Sequence, residues 1–339
     1  MSVAAGGPAQ ANLIITPTFD DSIKNDPNVT VIEDTIKSAI GVFASTYSNP
    51  IDVLIYFQEG GGLGESNFFL SSLSYSAVYS ALVTKNANPA AIAGLNANGG
   101  NNSRNPVTSS FQIDVKSANA RALGINVSPG CVPEPPPPND TSGLPTECVS
   151  GSTNAVDGII SLKTGITYPP TANDGSNYGL MSVVEHEIDE ILGLGSSLAD
   201  TSASSGTVTS RNPSPEDLFR YGANGSRIFS VNCAAATTAF FSYDGTTDLA
   251  QFNNACNNAD FGDWVTGTSL QVQDAFANPG AQPAYGANEI AALTAVGYTL
   301  AAPEPATWIL LLTALGALAL LRGTNAFSYK PPGFRGPSS

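Results

Sequence analysis

The chain of 339 residues has a single histidine, His186. That excludes a three-histidine metal site, and also a two-histidine zinc site within one copy. Charge is scarce: Asp, Glu, Lys and Arg make up 12% of the residues, about half the usual share of a soluble domain. Positive charge is scarcest, with 13 Lys and Arg against 28 Asp and Glu and a net charge of −15. Three of those basic residues, Arg322, Lys330 and Arg335, lie beyond the last hydrophobic run. Phosphate binding needs a basic surface, so nucleic acid is disfavoured as a partner. No C-x-x-C pair is present, which argues against a zinc ribbon or a thioredoxin-type site. No G-x-S-x-G elbow is present, which weakens serine hydrolysis with His186 as base. Gly60-Gly61-Gly62-Leu63-Gly64 is followed by Glu65, so the dinucleotide fingerprint fails, and no lysine makes it a P-loop. It reads as a strand-to-loop turn.

What is present is a chain long enough for a sizeable core, with 42% hydrophobic residues. The pattern is α+β. Val29 to Tyr47 has apolar residues near a 3.6 period, and Asn49-Pro50 ends the helix. Ile51 to Phe57 reads as a strand, Ser74 to Lys85 as a helix, and Phe111 to Val115 as a short strand. Gly158 to Tyr168 reads as strand, turn, strand. Short strand is expected at Ala239–Tyr243 and a last helix at Ala287–Val296. Four cysteines, Cys131, Cys148, Cys233 and Cys256, suit two disulfides in an exported chain. Three connectivities are open; proximity favours Cys131–Cys148 and Cys233–Cys256. The first pair would staple the polyproline stretch Pro135–Pro138 into an ordered surface loop.

The best helix is Tyr178 to Leu192, with an N-cap expected from Asn173, Asp174, Ser176 or Asn177. Leu180, Val183, Val184, Ile188, Ile191 and Leu192 form an apolar stripe. Within it stands His186-Glu187-Ile188-Asp189-Glu190. His186 and Glu190, four apart, project from one face. This is the layout of the zinc-protease helix HExxH with Glu for the second His. A carboxylate oxygen binds Zn²⁺ at ~2.0–2.2 Å much as imidazole does. Glu187 is then the general base. Gly193 stands where the metzincin helix turns towards its third ligand, but the third-ligand position is Ser196, a poor zinc ligand. Asp217, on a loop after Pro213 and Pro215, is the expected third ligand; its competing role is to cap a short helix or pair with Arg220. Asp260 and Asp263 fit no EF-hand spacing and read as a surface turn. A His-plus-two-carboxylate site takes one divalent ion, zinc in the first instance, and is hard enough to suit Mn²⁺. The plain alternative is four acids, Glu185, Glu187, Asp189 and Glu190, on a solvated helix face.

Both ends suggest export. Ala9-Gln10-Ala11 has the form of a signal-peptidase site, so residues 1–11 read as the remnant of a signal peptide or as a disordered start. Pro303-Glu304-Pro305 precedes an uncharged run from Thr307 to Leu321 closed by Arg322. Fifteen helical residues span about 22 Å, short of a ~30 Å hydrocarbon core. The order resembles the PEP-CTERM sorting signal of Gram-negative bacteria. That resemblance implies an exosortase partner, transient anchorage in the inner membrane and delivery to the cell surface or medium. The extension Gly323 to Ser339 and the single Arg depart from the pattern. The expected division is therefore a body at 12–301, a sorting signal at 302–322 and a disordered tail at 323–339.

From about residue 12 to 300 the chain is similar to a family of bacterial exported proteins described as metalloproteases, many with such a tail. The family helix reads His-Glu-Ile-x-Glu-x-x-Gly, which Glu190 and Gly193 fit. Leu63-Gly64-Glu65-Ser66, Tyr75-Ser76, Asp217 to Tyr221, Phe240 to Gly245, Gly262-Asp263-Trp264, Gln273 to Phe276 and Ala292 to Tyr298 match as well, with Thr294 where Asp is usual. The resemblance implies a zincin-like fold with a mixed sheet, an active-site helix and a loop-rich C-terminal lobe, and a metallopeptidase acting on peptide or protein substrates. The rival of another class is a non-catalytic cell-surface or matrix protein on a degenerate scaffold of that kind.

Overall fold

A computed structural model describes residues 12–97, 103–131, 155–169, 175–198, 212–231, 238–255 and 259–302. By its contacts the chain divides into Met1–Ala301 and Ala302–Ser339. The sorting-signal residues Pro303, Glu304, Pro305 and Arg322 lie outside the described residues, as do residues 1–11 and Cys148, Cys233 and Cys256. Cys131 is buried and is not a free thiol. Among the described residues no helix is long and apolar enough to cross a membrane.

The architecture is α+β. The first half runs β1 (Ile14–Phe19), α1 (Asp21–Lys24), α2 (Val29–Thr46), β2 (Asp52–Glu59), β3 (Gly64–Phe68), β4 (Leu70–Ser74), α3 (Tyr75–Lys85), α4 (Pro89–Ala97), β5 (Gln112–Lys116), α5 (Ser117–Ala122) and β6 (Gly130–Cys131). Then come β7 (Ala155–Val156), β8 (Gly158–Leu162), β9 (Thr167–Tyr168), β10 (Tyr178–Gly179), α6 (Leu180–Leu192), β11 (Arg220–Tyr221), β12 (Phe240–Phe241), β13 (Ala250–Gln251) and α7 (Ala287–Ala295), with 3₁₀ turns at Thr164–Ile166 and Glu216–Phe219.

The main sheet is mixed, in the order β1-β2-β8-β3. β1, β2 and β8 are parallel, and β3 is antiparallel at the edge. Alternation in β2 turns Val53, Ile55 and Phe57 into the core, where α2 contributes Ile32, Ile36 and Phe43. α6 packs on β3, β8 and α2. Gly158 makes that approach possible, because a β-carbon there would collide with the Ile191 side chain. A bidentate pair fastens α5 to the start of β8: Arg121 Nη1 and Nη2 reach Asp157 Oδ1 and Oδ2 at 2.8 and 2.7 Å.

α6 starts without the expected side-chain cap. Gly179 is its N-cap, and Ser182 Oγ donates back to the Gly179 carbonyl at 3.0 Å. Its end is as expected: Gly193 has φ of +149°, and its N–H closes on the Asp189 and Glu190 carbonyls. After α6 the chain is loop-rich. Phe241, Phe252 and Trp264 stack into an aromatic cluster, with Phe252 and Trp264 centroids 5.1 Å apart.

Candidate metal centre

The acidic helix is not a solvated face. Glu185, Glu187 and Asp189 are all buried. His186 and Glu190 keep only 18% and 13% of their side chains exposed, enough to open onto a cleft. On one face of α6, His186 Nε2 stands 3.8 Å from Glu190 Oε1. The other ring nitrogen, Nδ1, lies 3.0 Å from the Val272 carbonyl. The carbonyl can only accept, so Nδ1 carries a proton, and Nε2 is the nitrogen that faces the carboxylates and that a cation would claim by displacing its proton.

The third ligand expected from the sequence is corrected. Asp217 is fully buried, away from the imidazole, and both its oxygens are taken. Oδ1 accepts from Ser196 Oγ at 2.6 Å. Oδ2 accepts from Ser197 N at 3.1 Å, Ser214 N at 2.9 Å and Ser214 Oγ at 3.0 Å. It fastens the turn after α6 to the 212–217 loop, a role the sequence reading did not weigh: the short helix Glu216–Phe219 has no side-chain cap. Asp263 stands in its place: Oδ1 is 3.8 Å from His186 Nε2. Asp263 is also no surface residue, being 4% exposed. His186, Glu190 and Asp263 offer ligand atoms all within 4.8 Å of one another.

Several contacts fix Asp263. Gln273 Nε2 donates to Oδ1 at 3.0 Å, and Asn253 N donates to its carbonyl at 2.7 Å. Next to it, buried Trp264 donates its indole N–H to Glu289 Oε1 at 3.1 Å. Gly262 touches the Gly195 backbone so closely that a β-carbon would collide with it. The turn held by Asp217 therefore abuts the loop that carries Asp263. On the other ligand, Ser66 Oγ of β3 donates to Glu190 Oε2. The sequence reading placed Ser66 only in a stretch of family likeness, and Asp263 only in another such stretch and in a surface turn.

Glu187 lies beside the triad, against Gly64, where any β-carbon would meet its carboxylate. Burial first, and then Glu190, hold its carboxyl well above the usual range. Burial pushes Asp263 up to about 8, with Glu190 adding to the effect and His186 opposing it. For His186, burial works against the charged form, but Asp263, Glu187 and Glu190 outweigh it and lift the imidazole to about 10. Buried carboxylates that face one another hold protons in place of a cation, and a divalent ion would displace them.

The set fits such an ion. Two tetrahedral ligands at ~2.0–2.2 Å from zinc stand ~3.3–3.6 Å apart, so the two 3.8 Å spacings to His186 need to close by a few tenths of an ångström, while Glu190 and Asp263 lie within 4.8 Å of each other. Three protein ligands leave a position open, the arrangement of catalytic rather than structural zinc. Of the triad, His186 lines a cleft of about 150 Å³, together with Glu187, Leu63, Val183, Val272 and Phe276. No protein-family model, curated protein or solved structure matches the chain.

Proposed function

We propose that this protein is an exported, metal-dependent peptidase built on a zincin-like scaffold, with His186, Glu190 and Asp263 as ligands and Glu187 as the general base. The observation that carries the reading is the convergence of one imidazole nitrogen and two carboxylates, with a third carboxylate, Glu187, beside them in a cleft that His186 also lines. A divalent ion held there supplies a Lewis acid for a peptide carbonyl and for water. The chain's own residues do the rest. Val272 holds the imidazole in its tautomer. Ser66 and Gln273 orient the two ligand carboxylates. Glu187 accepts a proton from the attacking water and returns it to the leaving amine nitrogen.

The antiparallel edge strand β3 runs past Gly64 and Leu63 into the cleft and can pair with an extended peptide by main-chain hydrogen bonds. The PEP-CTERM-like tail belongs to the same proposal: release outside the cell through an exosortase, after a transient stay in the inner membrane. The test is hydrolysis of an unfolded protein by the purified full chain supplied with zinc. Cleavage abolished by a chelator and restored by the ion is expected. A well-folded chain that binds zinc and cleaves nothing would favour the non-catalytic surface protein.

A further inference from the structure

We propose that the cleft beside His186 and Glu187 is a pocket for one basic side chain, lysine or arginine, of a peptide substrate, and that Asp274 is the residue selecting it. The proposal rests on the peptidase reading and adds its substrate class. Three observations carry it. The first is size: about 150 Å³ is well below the ~300–1,000 Å³ of sites that hold a whole ligand, so the cleft takes a single side chain. The second is the lining. Leu63, Val183, Leu270, Val272 and Phe276 make apolar walls that suit a methylene stem, and Gln271 and Asn278 add neutral polar groups, with no lysine or arginine among the lining residues.

The third observation is Asp274 itself. It lines the cleft and is 6% exposed. Its Oδ2 accepts from Gln271 N at 3.0 Å, while Oδ1 is buried with no hydrogen-bond partner among the described residues. A buried carboxylate oxygen left unpaired is costly, and an apolar ligand would leave it so; a turn of the carboxylate that brings Oδ1 to the cleft wall would let an ammonium or guanidinium at the end of an apolar stem pair it. The Asp274 carboxyl, raised by burial to about 6, is still mostly ionised at neutral pH. The excess of acid over base in the chain extends the preference outward by repelling acidic segments.

The experiment uses the zinc-supplied full chain and four peptides identical except at one position next to the cleaved bond, which holds lysine, arginine, norleucine or glutamate. Rates are read as kcat/KM. Binding of the same peptides, fluorescently labelled, is read by anisotropy in chelator, where turnover is absent. The expected result is lysine or arginine over norleucine by about ten- to a hundred-fold, the worth of one charge-assisted hydrogen bond, with glutamate last. In Asp274→Asn the preference for lysine or arginine over norleucine should collapse to within about twofold. Norleucine equal to or better than lysine in the wild type would overturn the proposal, without recourse to the variant. So would a lysine preference that survives Asp274→Asn. Lysine-selective binding without cleavage would sink the peptidase reading and leave the pocket standing.

Discussion

Two groups of buried and half-buried acids lie close to one another and behave differently. Glu187, Glu190 and Asp263 surround one imidazole. Glu216, Asp217 and Asp260 surround the turn Gly195–Ser197. In the second group the turn supplies donors. Asp217 alone takes four hydrogen bonds, Glu216 Oε2 accepts from Gly195 N at 2.6 Å, and Asp260 Oδ1 from Ser196 N at 3.1 Å. In the first group donors are few, Ser66 for Glu190 and Gln273 for Asp263, and the carboxylates face each other across the imidazole. Acid count does not separate a ligand from a clamp. For Asp217 the supply of donors does, because a carboxylate saturated by hydrogen bonds has no lone pair aimed at a cation, whereas Glu216 keeps Oε1 without a partner among the described residues.

The largest effect expected from breaking this contrast is at Glu187. Glu187→Gln removes the base and leaves the ligands, so kcat should fall by ~10²–10⁴-fold with the metal content unchanged. Competition against a fluorescent chelator together with a rate assay reads both. Ser66→Ala should follow, weakening metal binding by ~10–100-fold because Glu190 loses its orienting donor. Ser66→Thr, which keeps a hydroxyl, should recover much of that affinity.

In the donor-rich group, Asp217→Asn should cost ~1–3 kcal/mol in denaturant unfolding, since an amide cannot accept from all four donors. A further effect is on pH. Burial, then Glu289, raises Glu185 to about 8, and burial raises Asp274 to about 6, whereas both ionise near pH 4 when unfolded. Between about pH 4 and 8 the fold binds the extra protons, so stability falls as pH rises. The chelator-treated chain should therefore melt a few degrees higher at pH 5 than at pH 8.

How much of this was legible in the sequence follows the range of the interactions. α2, β2 and α6 were readable because their 3.6- and 2-residue periods are local and strong. β1 was not, since Pro17 within Ile14–Phe19 argues against a strand; it is tolerated because β1 lies at the sheet edge. β3 and β4, Gly64–Phe68 and Leu70–Ser74, are rich in Ser, Asn and Gly and carry little strand propensity. His186, Glu187 and Glu190 were readable because one helical turn aligns the ligand pair. Asp263 was not, because only tertiary packing through Trp264, Gln273 and the Gly262–Gly195 contact brings it to the imidazole. Nearness along the chain favoured Asp217 instead, and nothing in its local sequence showed that four donors would surround it.

The most direct test sets the two aspartates against each other. Metal content of the purified full chain, dialysed against zinc and then buffer and read by mass spectrometry, should be about one ion per chain in the wild type and in Asp217→Asn, and near zero in Asp263→Asn with circular dichroism unchanged. One ion retained by Asp263→Asn and lost by Asp217→Asn, or no ion in a well-folded wild type, would contradict the account.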